Sequence, residues 1–183
     1  PVSRHEFESL AKIHHSGQKL RSATRWDQFI GMFISQVSDR QSLRDIHSNL
    51  ETQRHKLYHL GAKPIARSTL ARLNEKQPAE LYQGLFGKLL VRCKNTSGKH
   101  KFRFKNPLYS LDASAIDLAM NLFPWAAHRD DTANVKLSVG LNHGTLIPEF
   151  VALSDGNEND MIEGRKFDFP KGSVVAFDKG YFD

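Results

Sequence analysis

The chain has 183 residues and a mass of 20.8 kDa, with 39% hydrophobic and 25% charged residues, a composition typical of one globular domain or two small ones. No apolar run approaches the roughly 18 residues that span a bilayer, and the first residues lack the apolar stretch of a signal peptide. The single cysteine, Cys93, excludes an internal disulfide framework and a multi-cysteine zinc site. We therefore expect a soluble, cytoplasmic protein.

The net charge of +6 is distributed unevenly along the chain. Residues 1–106 hold 20 lysines and arginines against 8 aspartates and glutamates, a balance of +12, whereas residues 107–183 hold 6 against 12, a balance of −6. A basic half is suited to neutralising phosphates, and an acidic half is suited to holding divalent cations. The alternative that the two halves present oppositely charged faces to each other stays open.

The first half of the chain has the hydrophobic period of helices. From Trp26 to Val37 the apolar residues recur three and four positions apart, and Thr24 with Asp27 predicts a capping box at the start of this helix. Further helices are predicted over residues 40–50, after an N-cap at Ser68, and from Pro78 in the first turn of a longer helix.

Beyond a polar segment, residues 94–99, the period changes from 3.6 to 2. This segment predicts a loop, and residues 101–105 alternate as an edge strand or an extended basic arm would. The predicted strands of the second half are 108–112, 135–141, 146–153 and 174–177, with a hairpin turn at 142–144 and a short helix within 157–164. The last of these strands is expected to be buried.

Two of the predicted strands end in a carboxylate, Asp112 and Asp178. Carboxylates at the ends of neighbouring strands form a site for Mg²⁺ or Mn²⁺, which prefer oxygen ligands and keep open positions for water and phosphate. Aspartate at a strand end is also common as a helix cap or turn former, so this interpretation stays open on composition alone.

Several motifs of the second half resemble those of DDE transposases of bacterial insertion sequences, and more closely the branch whose last signature is Tyr-Arg-Glu-Lys. The residues that carry the resemblance are Leu111-Asp112-Ala113-Ser114, Ile116-Asp117-Leu118, Phe123-Pro124-Trp125-Ala126 and Val175-Ala176-Phe177-Asp178-Lys179-Gly180-Tyr181. The basic helical half is similar to the domain that precedes the catalytic core in that family, so the resemblance covers essentially the whole chain.

The resemblance implies an α+β protein, with a helical, basic, DNA-binding N-terminal domain over residues 1–98 followed by an incomplete RNase H-like mixed-sheet core over residues 99–183. Asp112 falls on the family's first catalytic aspartate and Asp178 on its second, each a ligand of a two-ion Mg²⁺ or Mn²⁺ site that cleaves and joins transposon ends to target DNA. Lys179 and Tyr181, which lie in the second motif, would contact DNA or stabilise the site. A homodimer and association with the bacterial nucleoid are further expectations from the family.

The sequence departs from the family at the third carboxylate. No Tyr-x-x-Arg-x-x-x-Glu pattern follows Asp178, and Glu149, Glu158 and Glu163 all precede it, in the wrong order for that role. We therefore expect a fragment or a truncated gene product that is inactive alone, and whose partial sheet leaves an open edge with uncovered apolar residues near 174–177.

Candidate DNA contacts occur in two places. Arg67 and Arg72 lie in a segment that resembles the approach to a recognition helix, and a solvated capped helix is the alternative. The basic residues Lys99, Lys101 and Arg103 alternate with aromatic ones, a pattern that suits either a nucleic-acid groove or an edge strand protected by lysines.

Three functions remain in competition at this point: a transposase, a non-catalytic DNA-binding remnant or regulator derived from one, and an RNase H-like nuclease of another lineage.

Overall fold

The structure, a computed structural model, describes residues 2–14, 20–96, 102–118, 133–156 and 160–179. The chain divides into two compact units, residues 1–89 and 90–183. The first unit is helical and the second is built on a mixed β-sheet, so the protein is α+β.

The helices, in chain order, are α1 (Arg4–Ile13), α2 (Arg25–Val37), α3 (Leu43–Thr52), α4 (Arg54–His59), α5 (Arg67–Glu75), α6 (Ala79–Thr96) and, in the second unit, α7 (Asp160–Arg165). The last helix of the first unit, α6, continues past residue 89 into the second. Among the described residues, no helix is long and apolar enough to cross a membrane.

Hydroxyl side chains begin three of these helices, because each accepts a hydrogen bond from a backbone N–H that has no partner within the helix. Ser3 caps α1 and Ser42 caps α3 in this way. Thr24 and Asp27 form the predicted capping box of α2, in which the Asp27 N–H donates to Thr24 Oγ1 at 3.0 Å and the Thr24 N–H donates to Asp27 Oδ2 at 2.8 Å.

The core of the helical unit contains a cluster of aromatic rings contributed by α1 and α2. The ring of Phe7 is fully buried and lies 5.5 Å from Trp26 and 4.7 Å from Phe29, measured between ring centroids. Aliphatic residues from every helix of the unit complete this core, among them Leu50, Leu57, Leu70 and Leu81.

The helical pattern holds in outline, with three differences. The last residue of the apolar stripe of α2, Val37, is not packed in the core but is 74% exposed. Ser68 is not the N-cap that we predicted: α5 begins two residues earlier than that cap implies, at Arg67, and its N-cap position is Ala66. The predicted loop is also wrong at its start, because α6 runs on through Thr96.

The second unit contains a four-stranded sheet in the order β3-β2-β1-β4. Its strands are β1 (Leu108–Leu118), β2 (Ala133–Asn142), β3 (Ile147–Asp155) and β4 (Val174–Phe177). The central strand β1 pairs antiparallel with β2 and parallel with β4, and β2 pairs antiparallel with β3. A hairpin turn joins β2 to β3, as predicted, and Asn142 Oδ1 stabilises it by accepting hydrogen bonds from the N–H groups of Gly144 and Thr145.

Three expectations for this unit need correction. Asp112 does not end its strand: β1 continues to Leu118 because β2 pairs with it as far as Ala133. Residues 102–106 contain no strand, so the alternating basic segment is not an edge strand where the structure describes it. β4 has the predicted bounds and is not buried as its composition indicates; it lies at the sheet edge with Phe177 45% exposed, which agrees with the uncovered edge expected near residues 174–177.

Candidate functional site

The parallel pairing of β1 with β4 brings the two candidate metal ligands together. Leu111 of β1 pairs with Phe177 of β4, and each of these two residues is followed directly by one of the aspartates, Asp112 or Asp178. Neighbouring strands lie about 4.8 Å apart, which puts both residues within reach of one small cation. Asp112 lies within β1, and Asp178 follows the end of β4.

Both aspartates are exposed, so their charges are not forced out of water. Asp112 Oδ1 accepts a hydrogen bond of 2.9 Å from the N–H of Ala113, the next residue on the strand. Two positions earlier on the same face of β1, Ser110 Oγ lies 3.1 Å from His143 Nε2. These contacts leave the outer part of the Asp112 carboxylate accessible to solvent and to a ligand.

The donor set at this position is two carboxylates, and no group of three histidine, cysteine, aspartate or glutamate side chains occurs anywhere in the described ranges. Two carboxylates fit the way in which Mg²⁺ is bound at phosphate-processing sites, where water and substrate phosphates supply the remaining oxygens. The residues present therefore suit a divalent cation that is shared with a phosphate substrate.

Glu149 lies in a different environment and on a different face. Its side chain is 5% exposed and accepts from Asn142 Nδ2 at 3.0 Å and from the Tyr109 hydroxyl at 3.2 Å, and Lys94 Nζ is 3.2 Å away. Tyr109 is three residues from Asp112 on β1, so the two side chains point to opposite faces of the sheet. Burial raises the pKa of Tyr109, and the adjacent Glu149 carboxylate raises it further.

The candidate DNA contacts are distributed over both units. Arg67 and Arg72 are exposed on α5, in the helical unit. In the second unit, Arg103 is exposed, and the rings of its two sequence neighbours, Phe102 and Phe104, stack with their centroids 5.7 Å apart. Lys179 directly follows Asp178. The predicted contacts Lys99 and Lys101 lie outside the described residues, as do residues 123–126 and 180–181 of the motifs.

The sequence interpretation did not anticipate the Glu149 cluster or the contact between Ser110 and His143. The hydrogen bonds between Tyr109 and Glu149 and between Ser110 and His143 each join residues more than 30 positions apart in the chain. Asn142 and Glu149 are closer in sequence and form their hydrogen bond across the hairpin. An acidic residue inside an apolar strand was the one signal that could have indicated a buried, paired carboxylate.

Comparison with known proteins gives two similarities. Residues 1–63 match a family model described as a domain of unknown function, DUF4372. Over 115 residues the chain is 25% identical to the "probable transposase for insertion sequence element IS5377" of Geobacillus stearothermophilus. That alignment covers 63% of this chain and 30% of the relative, so the chain spans about a third of the relative's length. No solved structure matches significantly. The similarities support a transposase-related protein.

Proposed function

We propose that this chain is part of a transposase that binds DNA through its basic helical unit and carries two ligands of a catalytic Mg²⁺ or Mn²⁺ site, Asp112 and Asp178, in an RNase H-like core. The observation that supports the proposal is the parallel register of β1 and β4: its last pair, Leu111 with Phe177, directly precedes the two aspartates, which are 66 positions apart in the chain. The mixed sheet, in which β2 runs against both of its neighbours, supports the RNase H-like assignment.

The site chemistry follows from the oxygen donors. Bound divalent ions would activate an attacking hydroxyl and stabilise the leaving oxygen in phosphodiester cleavage and strand transfer. The part played by this chain's own residues is to hold two carboxylates side by side on a rigid backbone. Because both are exposed, phosphate oxygens can approach the same position from solvent.

Binding of Mn²⁺ to the 183-residue chain tests the catalytic half of this proposal. Asp112→Asn and Asp178→Asn should each weaken Mn²⁺ binding by at least roughly tenfold, since even residues that only support metal ligands contribute that much. Asp117→Asn is the matched control: it lies on the same strand, but an odd number of positions from Asp112 and so on the other face. Equal losses in all three variants, measured by calorimetry or electron paramagnetic resonance, would refute the assignment.

One observation favours the second candidate, a DNA-binding protein without catalytic activity. Within the described residues the metal site has two carboxylates and no third side-chain ligand. A chain that binds duplex DNA but shows no Mn²⁺ affinity dependent on Asp112 would support this alternative over the transposase.

A further inference from the structure

Two grooves run along opposite sides of α5. Groove A, of about 180 Å³, lies between residues 20–23 and one side of the helix, where Thr69, Arg72 and Lys76 line it. Groove B, of about 540 Å³, lies between the start of α3 and the other side of α5. Its lining residues are Ser42, Leu43, Arg44, Arg67, Ser68 and Ala71.

Both grooves have the same chemistry. Each is lined by two exposed arginines, Arg21 and Arg72 in groove A and Arg44 and Arg67 in groove B. Each also contains two hydroxyl side chains, and none of the described residues that line either groove is a carboxylate. Guanidinium groups combined with hydroxyl donors are the usual protein partners of phosphate oxygens.

These four arginines differ from others in the helical unit. Arg4 and Arg54 are bound to Glu8 and Glu51 by ion pairs of 2.7 and 2.6 Å, and Arg40 lies 3.4 Å from Asp45. The guanidinium groups of the arginines of grooves A and B form no hydrogen bond or ion pair within the part of the chain that the structure describes. Their donors are therefore available to a ligand.

The face of α5 between the grooves is exposed and carries Ser68, Ala71, Arg72 and Glu75, while Leu70 and Leu73 on the opposite side are buried in the core. A helix with its side chains is about 10–12 Å across, and the major groove of B-form DNA is about 12 Å wide. A helix with cations along both sides matches a DNA groove with phosphates along both rims. The major groove of duplex RNA is too deep and narrow to admit it.

We propose that α5 enters the major groove of duplex DNA, with Arg21 and Arg72 bound to phosphates on one rim and Arg44 and Arg67 bound to phosphates on the other. This inference rests on the DNA-binding half of the proposed function and deepens it. It adds Arg21 and Arg44 as DNA contacts and assigns the two pairs of arginines to opposite strands.

The test is the salt dependence of binding to a fluorescent duplex of mixed sequence, measured by anisotropy between about 50 and 200 mM salt. Each neutralised phosphate adds about 0.9 to the slope of log K against log salt, so losing two lowers the slope by about 1.8 and the affinity roughly 60-fold near 0.1 M. We expect this loss for Arg21→Gln with Arg72→Gln, and separately for Arg44→Gln with Arg67→Gln.

The matched control is Arg4→Gln with Arg54→Gln, which removes two positive charges from the same unit at positions already paired with carboxylates. It should change the slope by much less than 1. Replacing the groove arginines by lysine should keep most of the slope, which shows that the glutamine variants act through charge and not through misfolding.

Four outcomes would overturn the inference. If the unmodified chain binds the duplex but the groove variants lose no more affinity than the control variant, the chain binds DNA but the assignment of the contact to α5 is wrong. Equal affinity for duplex RNA would exclude insertion into the major groove. Inorganic phosphate and chloride are compared as competitors at the same ionic strength. If phosphate displaces the duplex more than chloride does, free phosphate is identified as the ligand. A chain with no affinity for duplex DNA would end both this inference and the DNA-binding half of the proposed function.

Discussion

Loss of the Lys94 cation should destabilise the sheet mainly because it leaves a buried charge behind. The Glu149 side chain is 5% exposed, whereas that of Lys94 is 48% exposed. Removing one partner of a buried ion pair costs about 3–5 kcal/mol. Since Tyr109 and Asn142 still donate to the carboxylate, we expect Lys94→Met to cost about 3 kcal/mol, at the lower end of that range.

The reverse change, Glu149→Gln, should cost less in the unmodified protein. The Lys94 ammonium can return to water. Because both Glu149 oxygens accept a hydrogen bond and the amide has only one oxygen, one of these bonds loses its charge assistance and the other loses its acceptor, about 1 kcal/mol for each. In the Lys94→Met background the same change removes an unpaired buried charge, so it should recover about 1 kcal/mol. The effect of Glu149→Gln therefore has opposite signs in the two backgrounds, which is the signature of direct coupling between the two residues.

Hydrogen exchange of peptides from β1 to β3 measures this locally, without requiring the two units to unfold together. Lys171→Met is a suitable control, because this exposed lysine of the same unit has no partner among the residues that the structure describes. If Glu149→Gln lowers the protection of these strands by the same amount in both backgrounds, burial of an uncompensated carboxylate does not determine the loss of stability and the reasoning is wrong.

Three further predictions concern pH and the helical core. Because the folded pKa of Tyr109 is raised, the stability that it contributes is complete below about pH 10 and is lost as the pH rises through the folded value; Tyr109→Phe should flatten this alkaline loss in a circular-dichroism titration. Leu70→Ala should cost about 3 kcal/mol in urea unfolding, since its side chain is fully buried, whereas Val37→Ala, at a residue 74% exposed, should stay within about 0.5 kcal/mol. Thr24→Ala should cost about 1 kcal/mol in the same assay by removing the cap of α2.

The helical half is the more predictable part because its signals are local. The capping box of Thr24 and Asp27 lies within four residues, and the apolar stripe that follows it is read directly from spacing. The sequence pattern places the start of α5 two residues late because Ser68 is a favourable cap type, whereas the helix begins after Ala66 without any side-chain cap. A polar segment such as 94–96 can extend a helix that is already formed, since propagation adds one hydrogen bond for each residue fixed.

The sheet is less predictable because its lengths and registers depend on pairing between distant residues. The sequence pattern ends the first strand at Asp112, but ten residues of β2 pair along β1 as far as Leu118. The cluster around Glu149 and the grooves beside α5 likewise depend on tertiary packing. The adjacency of Asp112 and Asp178 depends on a parallel register, which no local motif encodes.

The sheet holds carboxylates in two environments. Glu149 is buried with three donors, so its charge is compensated within the fold. Asp112 and Asp178 are exposed and directly follow the last pair of the shortest pairing in the sheet, that of β1 with β4. A divalent cation held by both would bind only when the two strands are paired, so its binding energy would add to the stability of that pairing. Mn²⁺ should therefore slow hydrogen exchange in β4 more than in β3, and Asp112→Asn should abolish that difference while Asp117→Asn leaves it intact.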